Sequence, residues 1–301
     1  MAGARDAAVA MSTPATVGIV GLGLIGGSFA RAFAAAGSRV LAFDPDPDTM
    51  AAARVDSVAG TLDEDALGAC DLIVLAAYPA ACLAWLDEHA AALGALQPGP
   101  VVIDTAGVKQ QVCEHAFARA RAHGFAFCGA HPMAGTEHSG YAHARADLFS
   151  GAPMVLVPPP ELNDMARLKL LDRICRLLEP CGFGSYTVST AAEHDRLIAF
   201  TSQLAHVVSN AYVKSPTAQD HRGFSAGSYR DLTRVAHLNP AMWSELMLAD
   251  AAFLEREIDV LIENLDAVRQ ALAAHDRAQL EHLLAEGDRI KRALDGNQQA
   301  R

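Results

Sequence analysis

A β-branched run, Val17-Gly18-Ile19-Val20, passes without a break into Gly21-Leu22-Gly23-Leu24-Ile25-Gly26-Gly27-Ser28, and this into an Ala-rich helical stretch, Phe29 to Ala36. No other feature of the chain narrows its fold as much. In a G-x-G-x-x-G set between strand and helix, the first glycine permits a tight turn and the second lets backbone approach a pyrophosphate. The third lets helix and strand pack closely, while the helix N-terminus offers its unpaired N–H groups to the phosphates. On this reading Gly21, Gly23, Leu24, Ile25 and Gly26 hold a dinucleotide. Asp44 lies 18 residues past Gly26, at the end of a second strand-like run, Val40-Leu41-Ala42-Phe43. A carboxylate there accepts from a ribose diol and repels a 2′-phosphate, which favours NAD over NADP. The bland alternatives are a Gly-rich turn without ligand and a turn or cap role for Asp44 before Pro45.

Further β-branched runs at Leu72-Ile73-Val74-Leu75 and Val101-Val102-Ile103 alternate with helical stretches, the pattern of βαβ units and a parallel sheet. Phe125-Ala126-Phe127, Met154-Val155-Leu156-Val157 and Tyr186-Thr187-Val188 extend the same sheet. After about Ser189 the strand signals stop, and the chain reads as helix up to Leu294 except for a Gly-rich insertion, Gly223 to Tyr229. The expected architecture is an α/β Rossmann-type dinucleotide-binding domain over 16–188, after a disordered N-terminus over 1–15. An all-α dimerisation domain over 189–301 follows, carrying substrate contacts. Leu254, Ile258, Leu261, Leu265, Val268 and Leu272 recur at spacings of 4 and 3, a seam of period 3.5 that packs against another helix, either within the chain or on a second copy. Asp276, with Gln279 three residues on, caps a final helix through Leu280, Leu283, Ile290 and Leu294.

Two domains also suit 301 residues, and 51 % hydrophobic residues suffice for two cores. A net charge of −11 spread along the chain argues against nucleic acid, so any anionic substrate meets locally placed cations. No window approaches 18 uninterrupted apolar residues, which argues against a membrane partner. The six cysteines, 70, 82, 113, 128, 175 and 181, form no C-x-x-C or zinc-like pair and read as buried thiols of a reducing, cytoplasmic compartment. No His or Asp pattern suggests a metal.

Polar side chains gather at two strand ends, where open α/β sheets bind ligands: Asp104-Thr105-Ala106-Gly107-Val108-Lys109 and Gly129-Ala130-His131-Pro132-Met133-Ala134-Gly135-Thr136-Glu137. Thr105 is placed against the cofactor. Among twelve histidines His131 is the strongest base candidate, since an imidazole titrating near neutrality can take a proton from an alcohol as hydride leaves.

These segments together resemble the prephenate dehydrogenase (TyrA) family. Gly-Leu-Gly-Leu-Ile-Gly-Gly-Ser at 21–28, Asp-Thr-Ala-Gly-Val-Lys at 104–109, His-Pro-Met-Ala-Gly-Thr-Glu-His-Ser-Gly at 131–140 and Arg-Asp-Leu-Thr-Arg-Val-Ala at 230–236, followed by Trp243, carry the likeness. The 131–140 segment is specific to the family, whereas many dehydrogenases share the glycine motif. The resemblance implies a helical dimerisation domain, a site in the interdomain cleft, and NAD-dependent oxidative decarboxylation of prephenate or arogenate in tyrosine biosynthesis. It implies that His131 contacts the ring hydroxyl, that Thr136 and Glu137 line the site, and that Ser202, His206, Arg234 and Trp243 come from the helical domain to the substrate. Two departures stand out. Gly107 occupies the place of a family serine that shares the ring hydroxyl with the histidine, leaving Thr105 or water to supply that hydrogen bond. The family's Ser-His-Leu-Pro-His reads Ser202-Gln203-Leu204-Ala205-His206, with only the last of its histidines.

A cation on the ring carboxylate would oppose its departure as carbon dioxide, whereas one on the side-chain carboxylate positions a group unchanged by the chemistry. Arg234 is therefore assigned to the side-chain carboxylate, against a salt bridge to Asp231. His194-Asp195 and Asp231 read as salt-bridge or capping residues, and Trp243 equally as packing. A hydroxyacid or imine dehydrogenase of the same two-domain plan would need a cleft lysine, for which Lys214 is the helical-domain candidate. A non-enzymatic NAD-sensing dimer leaves the His131 segment unexplained.

Overall fold

The computed structural model describes residues 14–136, 138–221 and 223–299. Most of the expected disordered start, 1–13, lies outside the described residues. Ala15 does not belong with it, because its carbonyl accepts from the Arg39 N–H at 3.1 Å and its side chain packs on the core.

The first part of the chain alternates strand and helix: β1 (Thr16–Val20), α1 (Leu24–Ala35), β2 (Arg39–Phe43), α2 (Pro47–Asp56), β3 (Gly60–Thr61), β4 (Leu72–Leu75), α3 (Pro79–Ala95), β5 (Val101–Asp104), α4 (Gln110–His123), β6 (Ala126–Pro132), β7 (Pro153–Val157), α5 (Asp164–Leu177) and β8 (Ser185–Val188). One sheet results, in the order β3-β2-β1-β4-β5-β6-β7-β8. The chain reverses direction across the sheet between β1 and β4, so the ends of β1, β4 and β5 open one crevice, the usual ligand position of a doubly wound fold. β4 and β5 are buried at every position, as strands covered on both faces must be.

The sheet departs from the expected parallel order at one place, where β7 runs antiparallel to β6 with His131 opposite Val155. A parallel pair needs a crossover, usually a helix, and the segment from 133 to 152 forms only a short turn before returning from the end where β6 stopped. That segment covers α1 instead. Phe149 packs on Phe29 with ring centroids 4.3 Å apart, and a Cβ on Gly27 would lie 2.7 Å from the Tyr141 ring.

Helices follow: α6 (Ala191–Ile198), a π-helical stretch (Ala199–Leu204), α7 (Ala205–Tyr212), α8 (Gly227–Thr233), α9 (Pro240–Ala249), α10 (Ala251–Ala273) and α11 (Arg277–Gln299). The expected Gly-rich interruption, 223–229, is shorter than read, since Gly227 already opens α8. Asp276 accepts from the Gln279 N–H at 3.0 Å beside the start of α11. Leu254 is buried with Ala199 and Leu204, and Ile258 and Leu261 pack partly against them, whereas Leu265 and Leu272 stay 60 % and 57 % exposed. The seam is used within the chain over its first half only.

Candidate active site

At the β1–α1 turn, Gly21 takes φ +89°, a left-handed conformation that only glycine adopts without strain. A Cβ on Gly26 would fall 1.8 Å from the Gly21 carbonyl oxygen, so the third glycine is required by the turn itself. Gly23 faces open space, with no atom within 4 Å of where its Cβ would be, and it begins α1 without a side-chain cap. The N–H groups of Leu24, Ile25 and Gly26 thus lie at an uncapped helix start, a cradle suited to a phosphate. Asp44 is half-buried and braces this turn: one carboxylate oxygen accepts from the Leu22 N–H at 2.7 Å, the other from the Asp46 N–H at 2.9 Å. Its turn role is therefore real, and both oxygens keep lone pairs for a ribose diol. Thr105 differs from the sequence reading as a donor to the ring hydroxyl, because its hydroxyl donates to the Leu75 carbonyl at 3.3 Å.

His131 stands near the end of β6, and its Nδ1 lies 2.9 Å from Nε2 of His194 on α6. His194 Nδ1 is in turn 2.6 Å from Oδ1 of Asp195. Asp195 also accepts from the backbone N–H groups of Lys109 at 2.7 Å and Gln110 at 2.8 Å, capping α4 from a different part of the chain. Lys109, fully buried, pairs with the fully buried Asp104, which also accepts from the Ala106 and Ala130 N–H groups. Burial, followed by the neighbouring His194 and the positive Lys109, holds the His131 imidazole well below the ordinary histidine range. The His131 ring is half-buried, and as a neutral imidazole it keeps a lone pair that can take a proton. Asp195 fills the capping role its sequence position suggests, and His194 in addition bridges it to His131. Nothing in the spacing of 131 and 194 links them; the only signal was a His-Asp pair in the first turns of a helix just past the last strand.

Gly107 carries no hydroxyl, and a Cβ there would lie 3.6 Å from the Leu246 methyls of α9. A small side chain at 107 would therefore meet α9 at ordinary van der Waals distance. One helical turn earlier on α9, Trp243 packs on His206 with ring centroids 3.9 Å apart and the rings tilted at 41°. His206 donates through Nδ1 to the Val235 carbonyl at 2.9 Å, leaving Nε2 as an acceptor, and burial then Arg234 lower its pKa. Ser202, His206 and Arg234 share the wall of a cavity of about 510 Å³, together with Asp231. Among the described residues Arg234 has no ion pair with Asp231, contrary to the competing salt-bridge reading. The cavity walls come from the helical part alone, so His131 is not among them. Thr136 is exposed, its hydroxyl 3.3 Å from the His138 N–H, and Glu137 lies outside the described residues.

Residues 29–185 match the family described as prephenate dehydrogenase, nucleotide-binding domain, and residues 190–286 match prephenate dehydrogenase, dimerization domain. The chain belongs to the prephenate dehydrogenase family. The glycine turn precedes the first matched segment, and the His131 and Arg234 segments lie inside the two matches. A cyclohexadienyl dehydrogenase of Zymomonas mobilis is 31 % identical over 92 % of this chain and 95 % of its own. The prephenate dehydrogenase of Bacillus subtilis is 28 % identical over 88 % of this chain and 72 % of its own. The solved arogenate dehydrogenase of Synechocystis superposes with a TM-score of 0.74 at 27 % identity, covering 92 % of this chain and 99 % of that one.

Proposed function

We propose that this chain catalyses the NAD-dependent oxidative decarboxylation of prephenate to 4-hydroxyphenylpyruvate, or of arogenate to tyrosine, in tyrosine biosynthesis. The observation that carries the reading is His131: a neutral imidazole at a strand end beside the dinucleotide crevice, in the segment most specific to the family. The turn at Gly21, Gly23 and Gly26 and the carboxylate of Asp44 fit NAD, which when bound supplies the hydride acceptor. His131 takes the ring-hydroxyl proton as the same carbon gives up hydride, and the ring carboxylate departs as carbon dioxide on aromatisation. Arg234 pairs with the side-chain carboxylate through its planar guanidinium. His206 and Ser202 offer further polar contacts from the same cavity wall, and Trp243 fixes the His206 ring. Thr136, just after β6, and Glu137 are assigned to the substrate on the family resemblance, and Thr105 to the cofactor side.

The lysine that a hydroxyacid dehydrogenase of this plan would need is not offered by the residues in question: Lys109 is consumed by Asp104, and Lys214 is exposed beyond the end of α7. A homodimer through the helical domain is the assembly we favour, on the open half of the α10 seam. Six unpaired thiols support a cytoplasmic setting. Steady-state kinetics with prephenate and arogenate, each with NAD and NADP, tests the reading. NADH formation from at least one of the two substrates is expected, and turnover of neither overturns it.

A further inference from the structure

We propose that His194 and Asp195 form a relay that sets the tautomer of His131 and shares its charge during the reaction, an inference that rests on the function proposed above. A carboxylate at neutral pH can only accept hydrogen bonds, so the 2.6 Å contact makes His194 Nδ1 the donor to Asp195. His194 Nε2 is then the lone-pair nitrogen of a neutral ring, and the 2.9 Å contact to it makes His131 Nδ1 the donor. His131 Nε2 is left as the free base. The orientation of the base is thus dictated two residues away, by an aspartate whose position is fixed by two backbone N–H groups at the start of α4.

The same chain of contacts serves the proton. As the substrate O–H bond breaks, an N–H bond forms at His131 Nε2, and the positive charge spreads through the Nδ1–H to His194 and the Asp195 carboxylate. When the ring aromatises with loss of carbon dioxide, the phenolate oxygen takes the proton back, so His131 ends as it began and no net proton leaves the site. The contact from α6 is what holds the imidazole: His194 lies 2.9 Å from its Nδ1, with ring centroids 5.1 Å apart. The other ionisable groups around it are Lys109 and Asp104 at the β5–α4 turn, Cys113 on α4, and Asp250 between α9 and α10, which burial and Asp195 push up to about 7.

His194 and Asp195 are positioning residues, and the test separates positioning from mere structure. Gln places a carboxamide oxygen near the position of His Nε2, whereas Asn is too short. We expect H194N to lower kcat by about tenfold or more, with the Kd for NAD unchanged, and H194Q to recover most of it. The acid limb of kcat/KM in H194N moves to lower pH, since the neutral acceptor that stabilises the protonated His131 through its Nδ1–H is lost. Unchanged kcat and acid limb in a folded H194N enzyme would overturn the relay, as would equal losses in H194N and H194Q. Nitrogen-15 NMR of the histidine rings in the NAD complex, assigned with the H131N and H194N variants, reads the tautomer without turnover. A proton on Nδ1 of His131, lost or scrambled in D195N, is expected. A proton on Nε2, or a doubly protonated His194, would overturn the proposal whatever the substrate. The expected tautomer in a protein that turns over neither substrate would instead fault the proposed function and leave the relay standing.

Discussion

His131 is where one side chain carries the most chemistry. H131N should bind NAD normally and lose about 10²–10⁴ in kcat, because proton removal accompanies hydride departure. Burial and the neighbouring His194 and Lys109 lower its pKa, so the ring is neutral at any pH above that lowered value. The rate governed by this base is therefore kept as pH falls through 6.5 and lost only further down, which a kcat/KM profile reads directly. Arg234 has no ion pair with Asp231 among the described residues, and it shares a cavity wall with Ser202 and His206. R234K and R234A should each raise the substrate KM about tenfold or more, with a smaller effect on kcat, since Lys cannot reproduce a bidentate carboxylate pair. Near Asp44 a 2′-phosphate would face a like charge in a partly desolvated crevice. D44S should narrow the preference for NAD over NADP by about tenfold or more, a change of about 1.4 kcal/mol in relative transition-state binding. Residues whose roles depend on a local motif, such as Gly21, Gly26, Asp44 and His131, were legible in the sequence. His194 was not, because its role is a contact with a residue 63 positions away across two elements.

Among the elements, the β5–α4 turn joins the two halves of the site. Asp104 ties it to β6 through the Ala130 N–H, Lys109 closes over Asp104 with no exposure, and Asp195 caps α4 from α6. K109M leaves the Asp104 carboxylate buried without its cation, and breaking such a pair costs about 3–5 kcal/mol. Urea denaturation should show that loss, whereas R196A, which removes an exposed pair with Glu193, should leave the midpoint nearly unchanged. The short apolar runs marked seven of the eight strands, most clearly β4 and β5, where burial on both faces writes itself into composition, but Phe125-Ala126-Phe127 marked only the start of β6 (Ala126–Pro132). They did not reveal that β7 runs antiparallel, because direction is set by the path of the 133–152 segment and not by the strand's own residues. Nor did they reveal β3, two residues long, or the π-helical stretch over Ala199–Leu204. Such wider turns are frequent at functional sites, and this one carries Ser202 into the cavity wall.

At the scale of the whole molecule, the sequence contained an ambiguity that the structure divides rather than resolves. A seam of period 3.5 on α10 fits a partner helix in the same chain or in a second copy, and periodicity cannot distinguish them. Leu254 is satisfied within the chain, with Ala199 and Leu204, and further along the same helix Val260, Ile262, Leu265 and Leu272 are all between 46 % and 60 % exposed. Leu284, Ile290 and Leu294 on α11 are exposed to a similar degree, so exposed apolar side chains recur on both helices. Isolated exposed leucines need no explanation, but a series of them along a pair of helices does. In a dimer with twofold symmetry the same face meets itself, and a charge placed on it is introduced twice in each interface. L265E should therefore shift the protein from dimer to monomer in sedimentation velocity at micromolar concentration, while L62E, aimed at the buried core of the nucleotide-binding part, should unfold the chain instead. If the unaltered protein sediments as a stable monomer at that concentration, the open half of the seam has some other purpose and the homodimer reading fails.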